Sequence, residues 1–110
     1  ELDPLLRANV YPELRIIIAH LGGPWEHEYE LCGISLAERF GNVYLDTSLS
    51  LWRNLKLAIE RVGAEKILFG SDAPEFHPAV EKRKIEILEL DKKEEDMILG
   101  GNILRLLNLR

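Results

Sequence analysis

The chain has 110 residues, 46% of them hydrophobic and 30% charged, with a formal net charge of −5. That is enough for one globular domain, too apolar for a disordered segment, and its apolar runs are far too short to span a membrane. The charges form no basic stripe of the kind nucleic acid requires, and the single cysteine, Cys32, excludes an internal disulfide and fits a reducing, cytoplasmic setting.

Residues 4–11 read as the end of a helix stopped by Pro12, whose ring disfavours helix at the residue before it. Strand one is Arg15–Ala19; its β-branched run has no polar alternation, so both faces are expected to be buried, as in a parallel sheet. Gly22-Gly23-Pro24 is a loop. It lacks both the G-x-G-x-x-G and the Walker spacing of a phosphate cradle. A helix follows over about 25–40, with Tyr29, Cys32, Leu36, Ala37 and Phe40 on its apolar face. Strand two is Val43–Leu45, and the next helix, roughly 50–62, buries Leu51, Leu55, Ala58, Ile59 and Val62. Strand three is Ile67–Phe69. After a loop with Pro74 and Pro78, a helix over about 79–90 carries Val80, Ile85, Ile87 and Leu88. Asp91 and Glu94 form a capping-box variant, Gly100-Gly101 breaks that helix, and Asn102 is placed to cap a last turn.

Three βα units, at about 15–40, 43–62 and 66–90, with helices at 92–108, imply one domain over 1–110 built on a parallel sheet. Three strands leave both sheet edges unpaired, so a covering partner is expected, either another part of the protein or a second copy. The chain opens on Glu1 and its only methionine is Met97, which reads as a fragment, a processed product or a trimmed chain. There is no glutamine, and Lys, Arg and Glu are plentiful, a composition met in thermophile proteins.

Polar residues stand at the C-terminal ends of the three runs, where parallel α/β folds place their chemistry. His20, Asp46 and Asp72 recur 26 residues apart, about one strand, one helix and two loops. His20 offers an imidazole for metal binding or proton transfer, and Asp72 a hard oxygen donor that accepts a proton. The structural alternatives are a packed histidine and a loop or cap aspartate. Asp46, Thr47 and Ser48 read as a turn and cap for the next helix that also shapes a pocket. Trp25 and His77 are further pocket candidates, His27 sits on a glutamate-rich solvated helix start, and Cys32 is expected to be buried and inert.

At this point the motifs carry a resemblance. Pro12-Glu13-Leu14-Arg15-Ile16-Ile17-Ile18-Ala19-His20-Leu21-Gly22-Gly23 resembles the sixth strand of the amidohydrolase-related family, metal-dependent hydrolases and decarboxylases built on a (β/α)8 TIM barrel. Asn42 to Ser48 resembles the seventh strand, Lys66 to Pro74 the eighth, and Ile98 to Leu106 the C-terminal helix. The resemblance implies the C-terminal part of a TIM barrel, about strands 6–8. It implies Asp72 and His20 as catalytic and metal-binding residues of a divalent ion, zinc first, with Asp46, Ser48, Trp25 and His77 lining a small-molecule pocket. The family's first-strand His-x-His pair and fifth-strand histidine have no counterpart among His20, His27 and His77. Alone, the chain is therefore expected to be inactive. The activity implied for the parent is hydrolysis, with non-oxidative decarboxylation as the alternative. A non-catalytic, self-associating fragment and an open doubly wound domain are the competing readings; the tail motif and the missing phosphate loop count against the last.

Overall fold

The computed structural model describes residues 8–109. Residues 8–10 are helical, and the earlier part of the helix expected over 4–11 lies outside the described residues. The sheet has three parallel strands in the order β1 (Ile16–Ile18), β2 (Val43–Asp46), β3 (Ile67–Leu68). Between and after them come α1 (His27–Arg39), α2 (Trp52–Val62), α3 (Pro78–Glu86) and α4 (Lys92–Asp96). A wide turn over Met97–Gly101 leads into α5 (Asn102–Leu106). Among the described residues no helix is long and apolar enough to cross a membrane.

The register pairs Ile16 with Val43, Ile18 with Leu45, and Leu45 with Ile67. Side chains alternate along a strand, so these residues share one face. They pack there with Ile34, Ala37, Leu55, Ala58, Ile85 and Ile98 in a single core. Ile17 and Tyr44 fall on the other face, and Ile17 is 48% exposed. The expectation that strand one is buried on both faces is therefore wrong at β1. It is an edge strand, and the helices cover the face of Ile16 and Ile18.

The opposite edge departs from expectation in the other direction. The Phe69 N–H donates to the Ile98 carbonyl at 3.0 Å, and Asn102 Nδ2 donates to the carbonyls of Ile67 (2.8 Å) and Ala64 (2.7 Å). The wide turn thus lies along β3 and satisfies groups that an open edge would leave unpaired. Asn102, expected to cap its own helix, is instead a buried clamp on β3. Arg15 Nη1 donates to the Leu106 carbonyl, which fastens the tail to the start of β1 as well.

The buried face of α1 reads Glu30, Gly33, Ile34 and Ala37, while Tyr29 and Cys32 are exposed. The expected apolar stripe is rotated because Gly33 sets the packing. A Cβ there would overlap the Leu21 carbonyl, 2.6 Å from its carbon and 3.2 Å from Gly22 Cα. Glu30 is buried for a different reason. Leu51, which precedes α2, makes no side-chain cap; Glu30 Oε1 accepts the Leu51 N–H at 3.0 Å and Oε2 accepts Asn54 Nδ2 at 2.7 Å. A carboxylate from one helix so satisfies a main-chain N–H and a side-chain amide at the start of the next. Thr47 and Ser48, expected to cap α2, do not.

In α2, Leu55, Ala58 and Ile59 are buried. In α3 only Ile85 of the expected apolar set is, with Val80 and Ile87 exposed. The inward stripe runs through Glu81 and Ile85. Lys84 Nζ, 2.8 Å from Glu81 Oε2, donates to the Ser50 carbonyl at 2.8 Å and so ties α3 to the loop after β2. Lys66 Nζ donates to the carbonyls of Ala37 (3.0 Å) and Phe40 (2.9 Å) at the end of α1, and burial there lowers its pKa. Asp91 Oδ1 accepts the Glu94 N–H at 2.8 Å, the expected start of α4.

Candidate active site

The loops that follow the three strands meet at one end of the sheet. The Trp25 N–H donates to the Leu49 carbonyl at 3.1 Å, which joins the loop after β1 to that after β2. The Trp25 ring meets Phe76 edge-on, centroids 5.7 Å apart, which reaches the loop after β3. Backbone strain collects here too. Of the seven described non-glycine residues with positive φ, five lie in these loops: His20, Leu21, Trp25, Leu49 and Asp72. Each costs about 1–3 kcal/mol and persists only where the surroundings impose it, which is characteristic of functional sites.

Asp46 ends the middle strand and is the hub. Its Oδ1 accepts the Ser48 N–H at 2.7 Å, the His20 N–H at 3.4 Å and the Ser48 hydroxyl. His20 Nδ1 lies 2.9 Å from Ser48 Oγ and 3.1 Å from the Ser48 carbonyl. His20 and Ser48, 28 residues apart in sequence, are thus in direct contact. Beside them, buried Thr47 binds the main chain after β3. Its Oγ1 accepts the Gly70 N–H at 3.1 Å, and its own N–H donates to the Leu68 carbonyl at 3.0 Å. Gly70 is required at that point, since a Cβ would sit 2.9 Å from Asp46 Cγ.

Asp72 is exposed, in left-handed backbone (φ 61°), and its carboxylate has no hydrogen-bond partner among the described residues. Ser71 Oγ accepts the Ala73 N–H at 3.3 Å beside it. His77 caps α3, its Nδ1 accepting the Ala79 N–H at 3.1 Å. His27 is half-buried, not on a free solvated face, with Nδ1 3.1 Å from Asn54 Oδ1. The structure therefore joins His20, Asp46 and Ser48 directly and links Trp25 to the loop that carries Asp72 and His77. Glu30, Thr47 and Gly70 are supporting residues that the sequence reading did not single out for these contacts. The one available signal was a glutamate that interrupts a helix's apolar stripe.

Among the described residues no three of His, Cys, Asp and Glu gather closely enough to hold a metal ion. A catalytic ion of the zinc type usually takes three donors from protein. The described residues do not make a metal centre by themselves. A cleft of about 500 Å3 lies elsewhere, bordered by Pro12, Arg15, Arg39, Phe40, Asn42 and Tyr44 near the strand starts. That is the end of a parallel sheet which carries stability more often than chemistry.

Solved structures share this fold. A 5-carboxyvanillate decarboxylase from Sphingomonas paucimobilis aligns with a TM-score of 0.70 at 20% identity, over 94% of this chain and 36% of its own. A dihydroxybenzoic acid decarboxylase from Polaromonas, with bound manganese and 2-nitroresorcinol, aligns at 0.69 and 22% identity, over 92% of this chain and 36% of its own. An amidohydrolase from Burkholderia multivorans with bound zinc aligns at 0.71 and 18% identity, over 98% and 50%. The chain thus spans half or less of the length of these relatives, and its parallel sheet with flanking helices corresponds to part of their barrels. The amidohydrolase family model matches residues 5–109, nearly the whole sequence. This chain belongs to the amidohydrolase family.

Proposed function

We propose that the chain is the C-terminal part, about strands six to eight, of a metal-dependent hydrolase acting on a C–N or C–O bond of a small molecule. The observation that carries this reading is the convergence of the strand-end loops. His20 and Asp72 both leave β-strands in left-handed backbone, on loops joined through Trp25 and Phe76, with Asp46 and Ser48 at the middle strand between them. In this reading Asp72 is the exposed carboxylate that takes a proton in the reaction. His20 supplies a basic ring nitrogen, and Trp25, Asp46, Ser48 and His77 border the substrate.

His20 and Asp72 join a divalent ion, zinc first for a mixed imidazole and carboxylate set, whose other donors come from the rest of the protein. The bound zinc and manganese of two solved relatives support a divalent ion. Non-oxidative decarboxylation is the second reading, favoured by the two structurally similar decarboxylases. A reducing, cytoplasmic setting suits the single thiol.

The test is turnover by the whole protein carrying this segment, supplied with zinc or manganese. The substrates are a panel of amides, lactones and aromatic carboxylates, with acid release and CO2 release followed separately. Hydrolysis that falls about 100-fold or more in Asp72→Asn is the expected result. CO2 release without hydrolysis would transfer the site to the second reading. Full activity in both Asp72→Asn and His20→Ala would remove the site altogether.

A further inference from the structure

We propose that Asp46 and Ser48 are positioning residues that hold His20 in the tautomer protonated at Nδ1, leaving Nε2 as its basic nitrogen. The argument is a count of protons. A carboxylate oxygen only accepts, and Asp46 Oδ1 takes the Ser48 N–H at 2.7 Å, the His20 N–H at 3.4 Å and the Ser48 hydroxyl. Ser48 has one hydroxyl proton, and Asp46 takes it. What Ser48 then presents to His20 Nδ1 is a pair of acceptors, Oγ at 2.9 Å and its own carbonyl at 3.1 Å. A ring nitrogen facing two acceptors must carry the hydrogen, and in the neutral ring the lone pair then sits on Nε2. The main chain holds the same residue from behind, through the His20 N–H to Asp46 and the left-handed turn at φ 59°. Gly70 leaves the Asp46 carboxylate room that any side chain would take.

The other two histidines are built-in controls, fixed by the same bookkeeping. His77 Nδ1 accepts the Ala79 N–H at 3.1 Å, so that ring is protonated at Nε2. Asn54 commits its Nδ2 to Glu30 at 2.7 Å and turns its Oδ1 to His27 Nδ1 at 3.1 Å, so His27 is protonated at Nδ1. One chain therefore holds both tautomers at assigned positions. The functional sense of the His20 assignment rests on the role proposed above: a ring fixed at Nδ1 by its neighbours presents Nε2 to an ion or a substrate proton in one orientation.

The experiment is long-range 1H–15N correlation on the 110-residue chain with 15N-labelled histidine, at a pH about two units above the ordinary imidazole value. The expected spectrum shows Nδ1 protonated in His20 and His27 and Nε2 protonated in His77. Asp46→Ala leaves the Ser48 hydroxyl without its acceptor, so its proton turns to His20 Nδ1 and His20 shifts toward the Nε2-protonated form while His77 stays as it was. Ser48→Ala keeps the main-chain carbonyl that accepts from Nδ1, so His20 stays protonated at Nδ1, as it does in Ser48→Thr. If the variants lose their fold by circular dichroism, the unmodified chain still decides. His20 protonated at Nε2 there, or a His20 pattern unmoved by a folded Asp46→Ala variant, overturns the inference. The two proposals fail separately. A correct tautomer with an active His20→Ala enzyme refutes the role of His20, whereas the wrong tautomer with an inactive His20→Ala enzyme refutes only the positioning.

Discussion

Gly33→Ala puts a methyl group where α1 rests on the turn that carries His20. The added carbon would overlap the Leu21 carbonyl and lie 2.6 Å from its carbon, against ordinary carbon contacts of about 3.5–4.0 Å. The obstacle is main chain, so helix and turn must separate by about 1 Å, and over-packing of this kind costs about 3 kcal/mol. Alanine returns about 1 kcal/mol through its better helix propensity. The net loss is therefore about 2 kcal/mol, and with a urea slope of about 1.5 kcal/mol per molar the midpoint falls by about 1.3 M. Cys32→Ala is the control, one residue earlier on the same helix but exposed; it should stay within about 0.5 kcal/mol of the parent. Urea denaturation followed by circular dichroism measures both. A Gly33→Ala chain as stable as the parent would show that α1 does not seat on the His20 turn and would refute the reasoning.

Glu30→Ala leaves the Leu51 N–H and the Asn54 amide without their acceptor and should cost about 3 kcal/mol in the same assay, with Glu30→Gln milder. Asn102→Ala removes both clamps on β3 and should cost about 2–4 kcal/mol. Asn102→Asp should cost more, since it turns a carboxylate toward two carbonyls. Light scattering behind a sizing column should find the isolated chain self-associated, and Ile17→Lys, on the uncovered face of the edge strand, should shift it toward monomer.

Much of this molecule is written locally. Ile16–Ile18, Val43–Asp46 and Ile67–Leu68 announce themselves as apolar runs, and Leu55, Ala58 and Ile59 stand at helical spacing on the face they bury. The 26-residue recurrence of His20, Asp46 and Asp72 places them at or after the C-terminal ends of the three strands, and that is where they lie. What the sequence hides are contacts between distant segments. A helical wheel of α1 favours Tyr29 and Cys32, because hydropathy ranks Gly33 and Glu30 low. Yet a missing side chain at Gly33 permits the closest approach, and a carboxylate at Glu30 is buried because its partners are the donors of another helix. Asn102 is misread for a similar reason. Asparagine at a helix start usually caps it, and nothing local reveals that two carbonyls near β3 wait for its amide. The contact of Ser48 with His20 depends on strand register, which fixes β1 beside β2 and carries no local signature.

The measurement that bears most directly on the account is the divalent metal content of the whole protein, by elemental analysis alongside intact mass, for the parent, Asp72→Asn and His20→Ala. The account predicts about one ion per chain in the parent and loss of most of it in Asp72→Asn, with His20→Ala also depleted. Full metal content in both variants would contradict it, since neither residue would then belong to the site.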